Sequence, residues 1–352
     1  MSVLSADEAR SQRRREDLAS RAGANAIWGA MLWTLFVGVQ HLGWLTRPWE
    51  LPLAGDWVEM LFLFGPLVIV PLGLRALAVH SSMEPPEPLR WAAALSLPCA
   101  VPLLIAYSAQ KSDVAMFFTL PWLLLCLLLA SSALMRFRAR GLRPLHELGF
   151  DVALAYVVVG AGWCSIARLG LRPLDFTEMI VQLTAVHFHF AGFALPIIAA
   201  CSQSRAPCRV GAISLVGVIG GVPLLAMGIS SKHQAVETAT ALVLALICVA
   251  VGALTFDWGT RGKGGAFSRV LFALSGLSLL GSMALAGAYA LGNLLNASWK
   301  LDIPTMATWH GTLNALGFAL CGLLAWGSAP GKELGRPMGR PYGDLCPLVS
   351  RS

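Results

Sequence analysis

Leu183-Thr-Ala-Val-His-Phe-His-Phe-Ala-Gly-Phe-Ala-Leu-Pro196 lies inside an apolar segment long enough to cross a bilayer, yet it carries two histidines, His187 and His189, at its centre. A hydrocarbon core needs roughly 20 apolar residues of helix. An ionisable group at that depth usually faces a bundle interior or a wet cavity. The stretch therefore predicts a membrane helix with a polar interior beside it, and the rest of the chain reads as the scaffold around that helix.

Of the 352 residues, 56% are hydrophobic and only 13% charged, whereas soluble domains carry about 25% charged residues. That deficit runs the whole length and leaves no sizeable water-soluble domain. Ten apolar segments approach or reach spanning length, at 26–45, 57–78, 90–109, 113–134, 148–167, 177–200, 210–230, 235–256, 268–291 and 306–326. Each must satisfy its own backbone in lipid, so each is a helix. Barrel strands would alternate in hydropathy instead. The expected fold is all-α, a polytopic membrane bundle over 26–326, with a basic segment at 1–25 and a solvated tail at 327–352. The first apolar run is too long for a cleaved secretory signal.

Charge placement tests the count of ten. Allotting Lys and Arg to alternate sides puts 20 of the 26 basic residues on the face that holds both termini. The other face keeps Arg47, Lys111, Arg168, Arg172, Lys232 and Lys300. The positive-inside rule then places both termini in the cytoplasm. A net charge of +7 distributed in this way points to the bilayer and away from nucleic acid. The eight cysteines form no C-x-x-C pair, so neither zinc nor a disulfide framework is expected. Prolines inside the spans (Pro66, Pro71, Pro98, Pro102, Pro121, Pro196 and Pro223) predict bends.

At 100° per residue His187 and His189 point about 160° apart, so they cannot chelate one metal ion. Glu178, Gln182, Ala185 and His189 share one face, and His187 shares the other with Thr184. His310, Asn314, Gly317 and Cys321 form a narrow stripe in the last span, with Trp309 beside it. His41, Glu59, Tyr107, Glu237, Asn293 and Asn296 lie in other spans or at their ends. Given the topology, all these groups fall between mid-membrane and the outer boundary, and the cytoplasmic half looks poor in such residues. A polar cavity near the outer face follows. The tetrapeptide GFAL occurs at both 192–195 and 317–320, which by itself does not establish an internal repeat.

The run from Leu183 to Phe193, taken with Trp309-His-Gly-Thr-Leu-Asn-Ala-Leu-Gly-Phe318, resembles the YndJ-like family of bacterial membrane proteins. The resemblance covers most of the chain and implies a multi-pass protein of the bacterial cytoplasmic membrane. Some members are labelled transporters, and some carry a further soluble C-terminal domain, which this chain is expected to lack. The family brings no mechanism, and its recurring motif positions fall here on His187, His189, His310 and Asn314.

The leading functional expectation is an acid–base isomerase or cyclase acting on a lipophilic small molecule. In it His189 and His310 serve as base or orienter, with His187 in the same site. Glu178 or Glu59, its pKa raised by burial, is the acid, and Asn314 meets a developing oxyanion. Gln182, His41, Glu59, Tyr107 and Trp309 contact substrate. With no dinucleotide or flavin fingerprint, a redox-neutral reaction without cofactor suits the chain. A proton-coupled transporter is the alternative. A haem held between His189 and His310 is the minor one.

Overall fold

The computed structural model describes residues 6–45, 54–262 and 264–328; side chains are described from 6–40 and from Trp57 onward. Among these residues there are no strands, and ten helices are long and apolar enough to cross a membrane. We number the ten spans in chain order. They are α1 (Ala6–Gln40), α2 (Trp57–His80), α3 (Glu87–Ser108), α4 (Asp113–Arg140) and α5 (Leu145–Leu169), followed by α6 (Glu178–Arg205), α7 (Arg209–Ser230), α8 (Gln234–Arg261), α9 (Ala266–Leu294) and α10 (Ile303–Ser328). The face where α1 begins and α10 ends is called the proximal face, and the other the distal face.

Large apolar side chains point outward around the whole bundle, among them Trp28, Leu35, Leu124, Ile213, Leu246 and Phe267. Water would penalise such a surface, whereas lipid tails solvate it. The spans α2 and α6 are the most deeply enclosed, and the other helices pack around them. The sequence of α2 accounts for this placement, since Leu61-Phe62-Leu63-Phe64-Gly65-Pro66-Leu67-Val68-Ile69-Val70 is apolar on every face and every residue of it is buried. A helix hydrophobic all round belongs inside a bundle.

Three spans are interrupted by π-helical turns: Gly65–Ile69 in α2, Phe190–Ala194 in α6 and Leu313–Leu320 in α10. These turns touch one another at the centre of the bundle. A π turn widens the helix and loosens its carbonyls, and such turns recur at functional sites. The neighbouring helix α9 adds side-chain donors within the last of these turns and just ahead of it. Ser275 Oγ donates to the Phe318 carbonyl at 2.8 Å, and Ser282 Oγ to that of His310 at 3.4 Å. Both GFAL tetrapeptides fall in or across the end of these turns.

One expectation is revised. The basic residues ahead of 26 do not form a separate segment, because α1 is helical from Ala6 and buries Leu18 and Ala22. Arg14 pairs with Glu84 at 2.5 Å, and Arg15 donates to the Ser82 carbonyl at 3.3 Å, so this stretch docks on the α2–α3 connection. At Pro121 the structure shows an interruption in α4. The span opens with the short helix Asp113–Phe117, and Pro121 sits in the first turn of the longer piece that follows, Leu120–Arg140, where a missing N–H costs nothing. The expected tail at 327–352 lies outside the described residues from 329 onward.

Candidate functional site

The two central histidines go opposite ways around α6. His189 is fully buried. Its Nδ1 donates to the Ala185 carbonyl at 2.8 Å, and its Nε2 accepts from the Trp122 indole at 3.0 Å. Both ring nitrogens are therefore spent and the tautomer is fixed. Phe62 meets the ring edge-on at 5.1 Å and Trp122 stacks at 5.9 Å. A Cβ on Gly160 would come within 2.7 Å of Nδ1, so that glycine is what admits the ring. The geometry is that of a brace between α6 and α4, leaving no free lone pair for proton transfer or for a haem iron. His189 thus does not line the expected cavity.

His187 does. Its Nδ1 donates to the Leu183 carbonyl at 2.8 Å, which leaves the Nε2 lone pair without a protein partner among the described residues. The ring projects into a chamber of about 450 Å³ walled by α2 and by α5 to α10. The chamber extends from the distal ends of α7, α8 and α10, at Ile229, Gln234 and Ile303, to mid-span at Leu195, Cys248 and Phe318. Its wall is mostly apolar, and the imidazoles of His187 and His310 interrupt it together with Asn314.

Across from α6, a hydrogen-bonded knot orients His310. Its Nδ1 lies 3.0 Å from the Ser282 carbonyl and 2.9 Å from Ser282 Oγ, and its Nε2 is 3.1 Å from Asn314 Nδ2. Asn314 Nδ2 also donates to Ser282 Oγ at 2.6 Å. The carbonyl acceptor requires the proton on Nδ1, so Nε2 accepts from the amide. Both amide hydrogens of Asn314 are then committed, which corrects the expectation that it meets an oxyanion. What Asn314 retains is its carbonyl oxygen, and its evident task is to hold His310.

The stripe Glu178, Gln182 and His189 faces a different region. Glu178 is exposed and paired with both Lys111 and Arg172. Two cations hold it as a carboxylate, so it is not the buried acid that the sequence suggested. Gln182 and Tyr107 exchange hydrogen bonds at 2.9 and 3.1 Å in a buried pair, with the Arg168 guanidinium 4.7 Å from the Tyr107 ring centre. Arg168 reaches Glu59 at 3.2 Å. Glu59, Lys111, Glu178 and Gln182 line a second, smaller cavity of about 140 Å³ on the distal face. Trp309 is 63% exposed and faces outward, away from both cavities. The His41 side chain lies outside the described residues. The sequence-based set thus divides into a chamber group (His187, His310, Asn314), a distal polar group (Glu59, Tyr107, Glu178, Gln182) and a structural brace (His189).

The largest departure lies near the proximal face, which the sequence suggested was poor in polar groups. Arg136 there is buried with Glu147 and Asp151. Its Nη2 meets Glu147 at 2.7 Å and its Nε meets Asp151 at 2.6 Å, with side-chain exposures of 1%, 0% and 4%. Arg140 closes on the second oxygen of Asp151. Glu147 also accepts from the Ser81 hydroxyl and from the Ser82 backbone and hydroxyl. The signal was present in the spacing, since Arg136 and Arg140 close α4 four residues apart while Glu147 and Asp151 open α5 four residues apart. A short connection makes such helices antiparallel neighbours.

Fold and chamber together define a polytopic α-helical membrane protein with a ligand-sized intramembrane cavity. The sequence matches the YndJ-like protein family over residues 60–318, and the chain belongs to that family. It is similar to the uncharacterized membrane protein YndJ of Bacillus subtilis (strain 168), 28% identical over 211 residues, which is 59% of this chain and 38% of that relative. The match thus covers less than two thirds of the relative's own length. No solved structure matches the chain.

Proposed function

We propose that this chain is an intramembrane acid–base enzyme, an isomerase or cyclase, acting on a lipophilic small molecule held in the distal chamber. One observation carries the reading: an apolar chamber of about 450 Å³ at whose wall the unpartnered Nε2 of His187 and the oriented imidazole of His310 converge. Ligand sites typically have about 300–1,000 Å³, apolar walls and a few convergent polar groups. Both imidazoles line the same chamber. His187, with its tautomer set by the Leu183 carbonyl, takes a proton at Nε2 and returns it to a second position of the same substrate. The C–H bond broken and the C–H bond formed balance, the double bond migrates, and no oxidant is consumed. His310, with both ring nitrogens already engaged by Ser282 and Asn314, lies opposite and shapes the chamber wall. His189 is removed from the chemistry, and Glu178 from the acid's role. By the positive-inside rule the proximal face is cytoplasmic in a bacterial inner membrane, and the chamber belongs to the outer half.

The second reading is a proton-coupled transporter, favoured by the paired ionic network near the proximal face and by π turns that give α2, α6 and α10 places to bend. To separate the two, purified protein in detergent is incubated with lipid extracts and the products are followed by mass spectrometry. A new species of unchanged mass, absent with His187→Ala, supports the enzyme. Substrate accumulation that requires sealed vesicles, with no product in detergent, overturns it in favour of transport.

A further inference from the structure

We infer that the chamber's ligand is an amphiphile carrying an amine or ammonium group, and that Glu237 is its counter-charge. The inference rests on the reading of the chamber as a ligand site and names the class of molecule that enters it. Glu237, in the first turn of α8, lines the chamber mouth beside Gln234, Thr238 and Tyr289. No cation among the described residues faces it, because the basic residues of the distal face are engaged elsewhere. Lys111 and Arg172 hold Glu178, Arg168 meets Glu59 at 3.2 Å, Lys232 meets Asp175 at 3.4 Å, and Lys300 meets Asn296 at 3.1 Å.

A half-buried carboxylate in an apolar wall is costly to desolvate unless a cation arrives with the ligand. Tyr289 adds an aromatic ring to the same rim, and aromatic faces attract cations. The spacing of the chamber's two polar ends fixes the ligand's length. Thr238 Oγ1 donates to the Ala290 carbonyl at 3.3 Å, which sets the first turn of α8 level with Ala290 on α9. Ser282, the anchor of His310 and Asn314, lies eight residues earlier on the same helix. At 1.5 Å per residue the imidazole level is about 12 Å deeper. Met283, Ala286, Ala241 and Leu244 supply apolar wall in the chamber. A cationic head at Glu237 followed by an apolar body of that length would present its far end to His187 and His310.

The test measures saturable binding of tritiated tetraphenylphosphonium to the purified full chain in detergent, with dodecylamine, dodecanol and dodecanoate as competitors. Dodecylamine should displace the probe and dodecanoate should not. Glu237→Gln should weaken binding about tenfold or more, and Glu237→Asp should retain most of it. Trp309→Ala, on the outer surface and outside the chamber, should leave probe binding unchanged. Absent saturable binding, equal competition by dodecanoate, or unaltered affinity in a monodisperse Glu237→Gln protein would each overturn the inference. The competitor series uses the unmodified protein, so it decides even if the variant fails to fold. Glu237-dependent binding without any turnover of lipid extracts leaves this inference standing and removes the acid–base reading. Turnover in a protein indifferent to Glu237→Gln does the reverse.

Discussion

Replacing Arg136 with methionine removes a cation but keeps the volume of its stem. Two charge-assisted hydrogen bonds disappear, at 2.6 Å to Asp151 and 2.7 Å to Glu147, along with a contact of 3.3 Å to Ser81 Oγ. Asp151 keeps Arg140. Glu147, fully buried, is left with neutral donors from Ser81 and Ser82 and with His146 at 3.7 Å. Deleting one partner of a buried ion pair costs about 3–5 kcal/mol, chiefly because the other charge is stranded. At about 2 °C per kcal/mol for a large domain, the melting temperature should fall by roughly 6–10 °C. Intrinsic fluorescence during heating in detergent, checked by size-exclusion of the heated sample, reads this directly. Adding Glu147→Gln should recover part of the loss, since it removes the stranded charge. A melting temperature for Arg136→Met within about 1 °C of the parent would refute the reasoning, because that is what an exposed ion pair gives.

The two histidines of α6 should separate cleanly. His189→Ala opens a cavity and orphans the Trp122 indole, for a loss of about 3–5 kcal/mol, whereas His187→Ala should leave the melting temperature within about 1 °C and abolish turnover. A stable His189→Ala protein would contradict the brace. Gly160→Ala pushes a methyl to within 2.7 Å of His189 Nδ1 and should cost about 1–3 kcal/mol by overpacking, read in the same melting assay. Trp309→Ala, on the outer surface, should leave lipid-extract turnover at the parent rate, and a loss of turnover would return Trp309 to the site.

Much of the fold was legible because continuous apolar runs have few physical solutions in lipid. The ten spans fall within a few residues of their observed ends, apart from the proximal extension of α1 and the later finishes of α4, α6 and α8. The divergence of His187 and His189 followed from helical geometry alone. Which of the two enters the chamber did not, because that depends on α4 placing Trp122 against one side of α6. The π turns leave no compositional trace, since they change hydrogen-bond register without changing residue type. Serines at 275 and 282, on one side of α9, were the available hint of hydrogen bonds to α10. The Arg136 network was hidden differently. Its arginines end a span and read as loop charges until α4 is laid against α5, where Glu147 and Asp151 turn inward to meet them.

The central claim is that the distal chamber holds a lipophilic ligand against His187 and His310. Ala241 lies on the chamber wall, and Ala241→Trp should fill it while leaving the bundle folded. Native mass spectrometry of molecules retained by the purified parent and by this variant tests the claim directly. The account predicts an amphiphile bound to the parent in defined stoichiometry and missing from the variant. Identical retained molecules in the two proteins would contradict it.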